Sequence, residues 1–378
     1  MVISLQNETG IRGAAARGAE FAVIIPTFNE RENVPELVRR LDQCLRNVHW
    51  EVIFVDDDSP DGTAESAREL AQKDHRVRCI QRIGRRGLAS ACVEGMLASS
   101  APYLAVMDAD FQHDEAVLPR MLETLKAGDT DIVVGSRYVE GGGIGAWKES
   151  RAKMSRFATR LSHMVLKRDL SDPMSGFFAL RRDAFERATR QLSNIGFKIL
   201  LDLVASSPKS LRLKELPYEF RDRRAGVSKL DSQAVWGYLM MLADKLVGRY
   251  VPVRFLAFSL VGGLGVVIHF VVLTALFRGF GTSFTIGQSV ATVVAMVSNF
   301  AMNNALTYRD LRLRGWRWLT GLLSFSVVCS LGAFANVGIS SYLFTQRTTW
   351  ALAALAGIAI GAVWNYAVTA IYTWHRPS

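Results

Sequence analysis

Residues 103–114 read YLAVMDADFQHD. A mostly apolar run leads into two aspartates with one alanine between them, then a glutamine, a histidine and a third aspartate. The run has the length and composition of a buried strand. Side chains alternate along a strand, so Asp108 and Asp110 are expected on one side and Ala109 on the other. Two carboxylates that close repel each other, and the pattern predicts a positive charge between them.

Four further runs have the same character: FAVIIP (21–26), EVIFVD (51–56), VRCIQ (77–81) and DIVVGS (131–136). Helical patterns over roughly 30–46, 63–73, 87–99 and 114–127 separate them. This alternation predicts an α/β fold, a Rossmann-like, mostly parallel sheet with helices on both faces. Ligands in such sheets bind beyond the carboxyl ends of the strands, where PTFNE, DDDSPDGT, DADFQ and SRY fall. Asp61, Gly62 and Thr63 read as a turn and helix cap. Beyond residue 140 comes a glycine-rich loop, GGGIGAWKES. A helix is then expected over 151–168, with Met154, Phe157, Leu161, Met164 and Val165 on one face and basic residues on the other. That pattern suits a membrane surface, as does a second expected helix at 231–250.

The chain has 378 residues and a formal net charge of +10, but only seven of its 45 basic and one of its 35 acidic residues lie from Phe255 onward. Charge-free stretches run from Phe255 to Phe277, Gly279 to Tyr308, Trp318 to Gln346 and Thr348 to Trp374. Each is long enough to cross a bilayer as a helix, which takes about 20 residues. Four transmembrane helices are therefore expected. Arg309, Arg312, Arg314 and Arg317 crowd the loop between the second and third, whereas the other loops carry Arg278 and Arg347. The asymmetry places both termini and the soluble part in the cytoplasm. It also assigns the basic excess to the bilayer and acidic lipid, not to nucleic acid. Cys44, Cys79, Cys92 and Cys329 show neither paired nor metal-type spacing. The expected organisation is a tail at 1–19, a catalytic domain at 20–230, a juxtamembrane amphipathic helix at 231–253 and a membrane domain at 254–378.

Two carboxylates at a strand end, on a sheet of this type, suit a divalent cation bridging a diphosphate. Mg²⁺ or Mn²⁺ takes oxygen ligands of this kind, with Gln112 as a third donor beside Asp108 and Asp110. Taken together, VIIPTFNERENVPELV, VIFVDDDSPDGT, MDADFQHD, VVGSRYVEGG, SDPMSGFFALRR and RDRRAGVSKL resemble the dolichyl-phosphate mannose synthase family. These are inverting family 2 glycosyltransferases of the GT-A fold, which load a sugar onto a polyprenyl phosphate. The membrane half is similar to the GtrA-like four-helix domain fused to some of them. The resemblance implies GDP-mannose as donor, a polyprenyl or dolichyl phosphate as acceptor, and β-linked mannosyl phosphate as product. It implies that Pro26, Phe28, Glu30, Val55 and Asp57 line the nucleotide pocket. Asp108, Ala109, Asp110 and Gln112 would hold the metal and nearby donor atoms. Arg137, Arg223 and Lys229 would contact phosphates. Arg137, Arg151 and Ser155 would meet the acceptor phosphate. Asp110, Arg137 and Arg151 are the catalytic candidates. Phe28 stands where the family usually has tyrosine, and Asn303-Asn304-Ala305-Leu306 departs from its N-R-x-W segment. A polyprenyl-phosphate glucosyltransferase using a UDP-sugar, and a lipid-linked sugar translocase with a non-catalytic soluble domain, remain as alternatives. A processive polysaccharide synthase fits less well, since no Q-x-x-R-W segment is present.

Overall fold

The computed structural model describes residues 18–145, 149–166, 169–193, 198–207, 210–221, 232–248, 250–347 and 349–374. They form two compact units, one ending at Lys245 and the other beginning at Leu246.

The first unit is built on a seven-stranded sheet ordered β3-β2-β1-β4-β6-β5-β7. Its strands are β1 (Phe21–Thr27), β2 (Trp50–Asp56), β3 (Val77–Gln81), β4 (Tyr103–Val106), β5 (Ile132–Ser136), β6 (Phe178–Arg181) and β7 (Leu213–Pro217). β1, β2, β3 and β4 pair parallel, as do β5 and β7. β6 runs antiparallel between β4 and β5. Alternation along β1 explains why both faces are covered. Ala22 and Ile24 enter one core and Phe21, Val23 and Ile25 the other, all fully buried. Burying each such aliphatic or aromatic side chain contributes about 1.5–3 kcal/mol.

α1 (Asn33–Cys44), α2 (Thr63–Ala71) and α4 (Leu118–Lys126) cover one face, α4 through Leu118, Met121, Leu122 and Leu125. α3 (Leu88–Ala98), α6 (Arg182–Thr189) and α7 (Ile199–Ser206) cover the other. α3 lies so close to the sheet that a Cβ on Gly95 would stand 2.5 Å from Ile24. α5 (Glu149–Ser162) packs Ala158 and Leu161 against this second core and leaves Phe157 exposed. The helix expected over 231–250 is α8 (Ser232–Val247). Its Tyr238, Met241 and Leu242 are buried in the same core. The Tyr238 hydroxyl donates to the Ala158 carbonyl at 2.6 Å, and Lys245 pairs with buried Asp202 at 2.7 Å. α8 is thus part of the first unit's packing, while Val235, Leu239 and Leu246 remain exposed on it.

The second unit holds four helices long and apolar enough to cross a membrane. These are α9 (Val253–Thr274), α10 (Phe284–Met302), α11 (Trp316–Thr345) and α12 (Trp350–Tyr372). α9 and α10 each run on into a π-helical turn, Ala275–Gly279 and Asn303–Thr307. Several polar residues of this unit pair with one another. His269 on α9 meets Gln288 on α10 at 3.3 Å, and the Thr307 hydroxyl donates to Asn303 at 2.8 Å. Phe300 and Tyr308 stack on Trp374.

Candidate active site

The polar clusters of the sequence meet at the carboxyl ends of β1, β2, β4 and β5. β4 ends at Val106, two residues before the first aspartate of DADFQ. Strand alternation therefore does not orient Asp108 and Asp110; loop hydrogen bonds do. The Asp108 backbone N–H donates to Nδ1 of His113 at 3.0 Å, and the Gln112 N–H donates to Asp110 Oδ1 at 3.2 Å. Between them Phe111 adopts a left-handed backbone with φ of 62°. For a residue with a bulky Cβ this costs roughly 1–2 kcal/mol. Asn29 and Asp58, in the loops after β1 and β2, share that conformation. Three of the four non-glycine residues with positive φ among the described residues thus lie in this loop cluster, where stored strain is commonly found.

His113 is buried, stacked on Phe177 with ring centroids 5.1 Å apart. Burial holds its pKa below the ordinary imidazole value, although Asp108 and Asp110 pull the other way. With Nδ1 accepting, the neutral ring carries its proton on Nε2, 3.7 Å from Asp108 Oδ2. Asp110 and Gln112 are buried, whereas the Asp108 side chain is 38% exposed. A Cβ on Gly176 would sit 3.3 Å from Asp108 Oδ2, so the missing side chain leaves that carboxylate open. The Gln112 side-chain amide donates to the Arg221 carbonyl at 3.2 Å. Two carboxylates and an amide oxygen are hard donors suited to Mg²⁺ or Mn²⁺. Among the described residues no three His, Cys, Asp or Glu gather as a cluster that could hold a metal.

Three of the aspartates at the end of β2 and in the loop after it do different work. Asp56 accepts from Thr27, from the Ser59 N–H and from the Ser59 hydroxyl, and so shapes the turn. Asp61 accepts from the Thr63 N–H and hydroxyl, the expected turn at the start of α2. Asp57 accepts from Arg82 at 2.6 Å and from the Gly87 N–H at 2.6 Å. Burial pushes the Asp57 carboxyl pKa up against both partners. These bonds hold the segment 82–87, from which the Arg86 guanidinium lies 4.2 Å over the Phe28 ring. Pro26 is half-buried in β1, and Glu30 accepts from Asn33 at the start of α1. Val55, expected to line the pocket, is fully buried with its side chain in the core beneath α3. The strand is covered there on both faces, so the Val55 side chain belongs to that core.

Arg137 follows β5 and is clamped by Asp172. Nε and Nη2 donate to the two carboxylate oxygens at 2.6 and 2.7 Å, and the Arg137 N–H donates to the same group. Asp172 is fully buried. Burial alone would lower the guanidinium pKa, but the hydrogen bonds and charge of Asp172 raise it above its ordinary value. The next residue, Tyr138, shares a 2.9 Å hydrogen bond with the Ser155 hydroxyl on α5. Ser155 is thereby tied to the β5 end. Arg151 lies one turn earlier on that helix; its side chain, Arg223 and Lys229 fall outside the described residues. Sequence reasoning missed Arg82, Arg86, Asp172 and Gly176. Of these, only Asp172 and Gly176 had a signal, sitting in the SDPMSGFF motif with no role given to them.

The glycosyl transferase family 2 signature matches residues 22–189, and the GtrA/DPMS transmembrane-domain signature matches residues 257–374. A dolichol-phosphate mannosyltransferase of Pyrococcus furiosus is 36% identical over 355 residues, 93% of this chain and 99% of that protein. One from Saccharomyces cerevisiae is 35% identical over 61% of this chain and 88% of its own length. Among solved structures, glucosyl-3-phosphoglycerate synthase of Mycobacterium tuberculosis is 17% identical with a TM-score of 0.44. It covers 61% of this chain and 82% of its own, a likeness too slight to carry an argument. The chain belongs to the dolichol-phosphate mannosyltransferase family and is a glycosyltransferase with a membrane domain.

Proposed function

We propose that this protein transfers mannose from GDP-mannose to a polyprenyl or dolichyl phosphate, with inversion, at the cytoplasmic face of a membrane. The observation that carries this reading is the convergence of the DADFQ loop and the Arg137–Asp172 clamp at one end of the sheet. Asp108, Asp110 and Gln112 hold a divalent cation, which offsets charge on the departing nucleoside diphosphate. Phe28, with Arg86 over its ring, offers the flat surface on which a nucleobase stacks. Arg137, with Arg223 and Lys229, binds phosphate oxygens; Arg151 and Ser155 receive the acceptor phosphate.

The nucleophile is an oxygen of that lipid phosphate. A phosphate monoester has a second pKa of about 6, so it is already largely dianionic at neutral pH and needs no general base. The state of His113 agrees: its Nδ1 is occupied by the Asp108 N–H, and its other nitrogen bears a proton. What the chain supplies is positioning and charge. Arg137, held rigid by Asp172, offsets repulsion between two anionic groups meeting at one sugar carbon. A single displacement converts an α-linked donor into a β-linked product.

Radiolabelled GDP-mannose and UDP-glucose, offered in parallel with a polyprenyl phosphate, test the donor. Lipid-extractable label is expected from GDP-mannose alone, lost in excess chelator and restored by Mg²⁺ or Mn²⁺. Asp110→Ala is expected to abolish transfer while the fold survives. Label from UDP-glucose would replace the donor assignment, and full turnover in chelator would remove the cation.

A further inference from the structure

In the membrane unit, residues from the end of α10 to the start of α11 border an open cleft of about 650 Å³. Ala301, Ala305, Leu313 and Trp318 supply its apolar wall, and Arg312 and Arg314 its charge. The loop carrying the two arginines is fixed from below. Asn304, nearly fully buried, donates to the Leu313 carbonyl at 3.1 Å and accepts from the Leu313 N–H at 2.8 Å. The same oxygen accepts from the indole N–H of buried Trp374 at 3.2 Å. One asparagine thus links the residue between the two arginines to Trp374, just beyond the last span.

Neither Arg312 nor Arg314 has a hydrogen-bond or ion-pair partner among the described residues, and both are exposed. Asp310 is the single acidic residue from Phe255 onward, so the local charge is unbalanced. Guanidinium groups match the oxygens of phosphate in paired fashion. A tryptophan and small aliphatic residues beside them suit the first carbons of an attached chain, and tryptophan favours the membrane–water boundary. An orienting role for basic residues needs only their number, which Arg309 and Arg317 serve from either side of the same loop without lining the cleft. A pinned backbone between two exposed arginines is a feature that orientation does not require.

We propose that this cleft binds the phosphate headgroup of a membrane lipid, with Arg312 and Arg314 on the phosphate and Trp318 and Leu313 against the chain. The assignment rests on the membrane unit alone and is independent of the donor and acceptor of the transfer reaction.

The full-length protein in neutral detergent, titrated with phosphatidylglycerol, phosphatidylcholine or inorganic phosphate, provides the test. Thermal unfolding and bound lipid by native mass spectrometry are read together. Phosphatidylglycerol is expected to raise the unfolding temperature and to be retained, while inorganic phosphate at equal concentration does neither. R312Q/R314Q is expected to weaken the lipid effect at least tenfold, and the charge-matched R309Q/R317Q to leave it in place. R312K/R314K, which keeps both charges and so guards against loss of folding, is expected to fall between. Equal loss in both glutamine pairs would overturn the site in favour of diffuse charge. An unchanged response in the lysine pair, or an equal effect of inorganic phosphate, would overturn it as well.

Discussion

At the scale of single residues, the Arg137–Asp172 pair separates stability from chemistry. Asp172→Asn leaves a buried guanidinium without its counter-charge, a change that typically costs about 3–5 kcal/mol. The denaturation midpoint should fall accordingly, and transfer should be lost. Replacing both partners by apolar residues, as in Arg137→Met with Asp172→Leu, removes the uncompensated charge and should recover much of the stability. It should not recover transfer, because the Arg137 guanidinium no longer offsets the phosphate charge. Denaturant titration beside a turnover assay distinguishes the outcomes; a double variant that transfers normally would remove Arg137 from the reaction. The local backbone carries a related lesson. Phe111 is held in a left-handed conformation between Asp110 and Gln112, so these side chains are set by a strained turn and not by the pleat of β4.

At the scale of elements, the sequence was a good guide wherever hydrophobic period and turn chemistry agreed. β1, β2, β3 and β5 and the helices between them match the expected segments because alternating apolar runs ended in polar clusters. β6 and β7 were not foreseen. Each is a short strand, and Phe178–Arg181 runs straight into α6, so no turn signal marks its end. Antiparallel insertion of β6 depends on pairing with β4 and β5, which no local pattern encodes. Within the site, the carboxylates and Arg137 were legible as motifs, whereas Arg82 and Arg86 were not. Their roles come from long-range contacts with Asp57 and Phe28. α5 carries the next prediction. Arg151 and Ser155 are four residues apart and share a helix face, and Ser155 is already joined to Tyr138 beside Arg137. Arg151→Lys and Arg151→Ala should both impair transfer while leaving the dissociation constant for GDP-mannose with metal nearly unchanged. Loss of a charge-assisted hydrogen bond to the nucleophile costs about 1.5–3 kcal/mol, or roughly ten- to a hundredfold in rate. Calorimetry with donor alone, beside turnover at varied acceptor, checks this; weakened donor binding would move Arg151 to the nucleotide side.

At the scale of the whole molecule, the four spans and their loop charges make a statement about sidedness. With all native cysteines replaced, Phe280→Cys in the loop after α9 should react with an impermeant maleimide on intact cells. Trp316→Cys, at the start of α11, should react only after permeabilisation; both native side chains are well exposed. The reverse pattern would put the catalytic unit outside. The contact between Trp374 and Asn304 has a further consequence, for biogenesis. The loop between α10 and α11 leaves the ribosome well before the indole that completes its fastening. During synthesis that loop therefore waits, half-fastened, until the final helix has entered the bilayer, and insertion of the last span becomes the step that finishes the first half of the bundle.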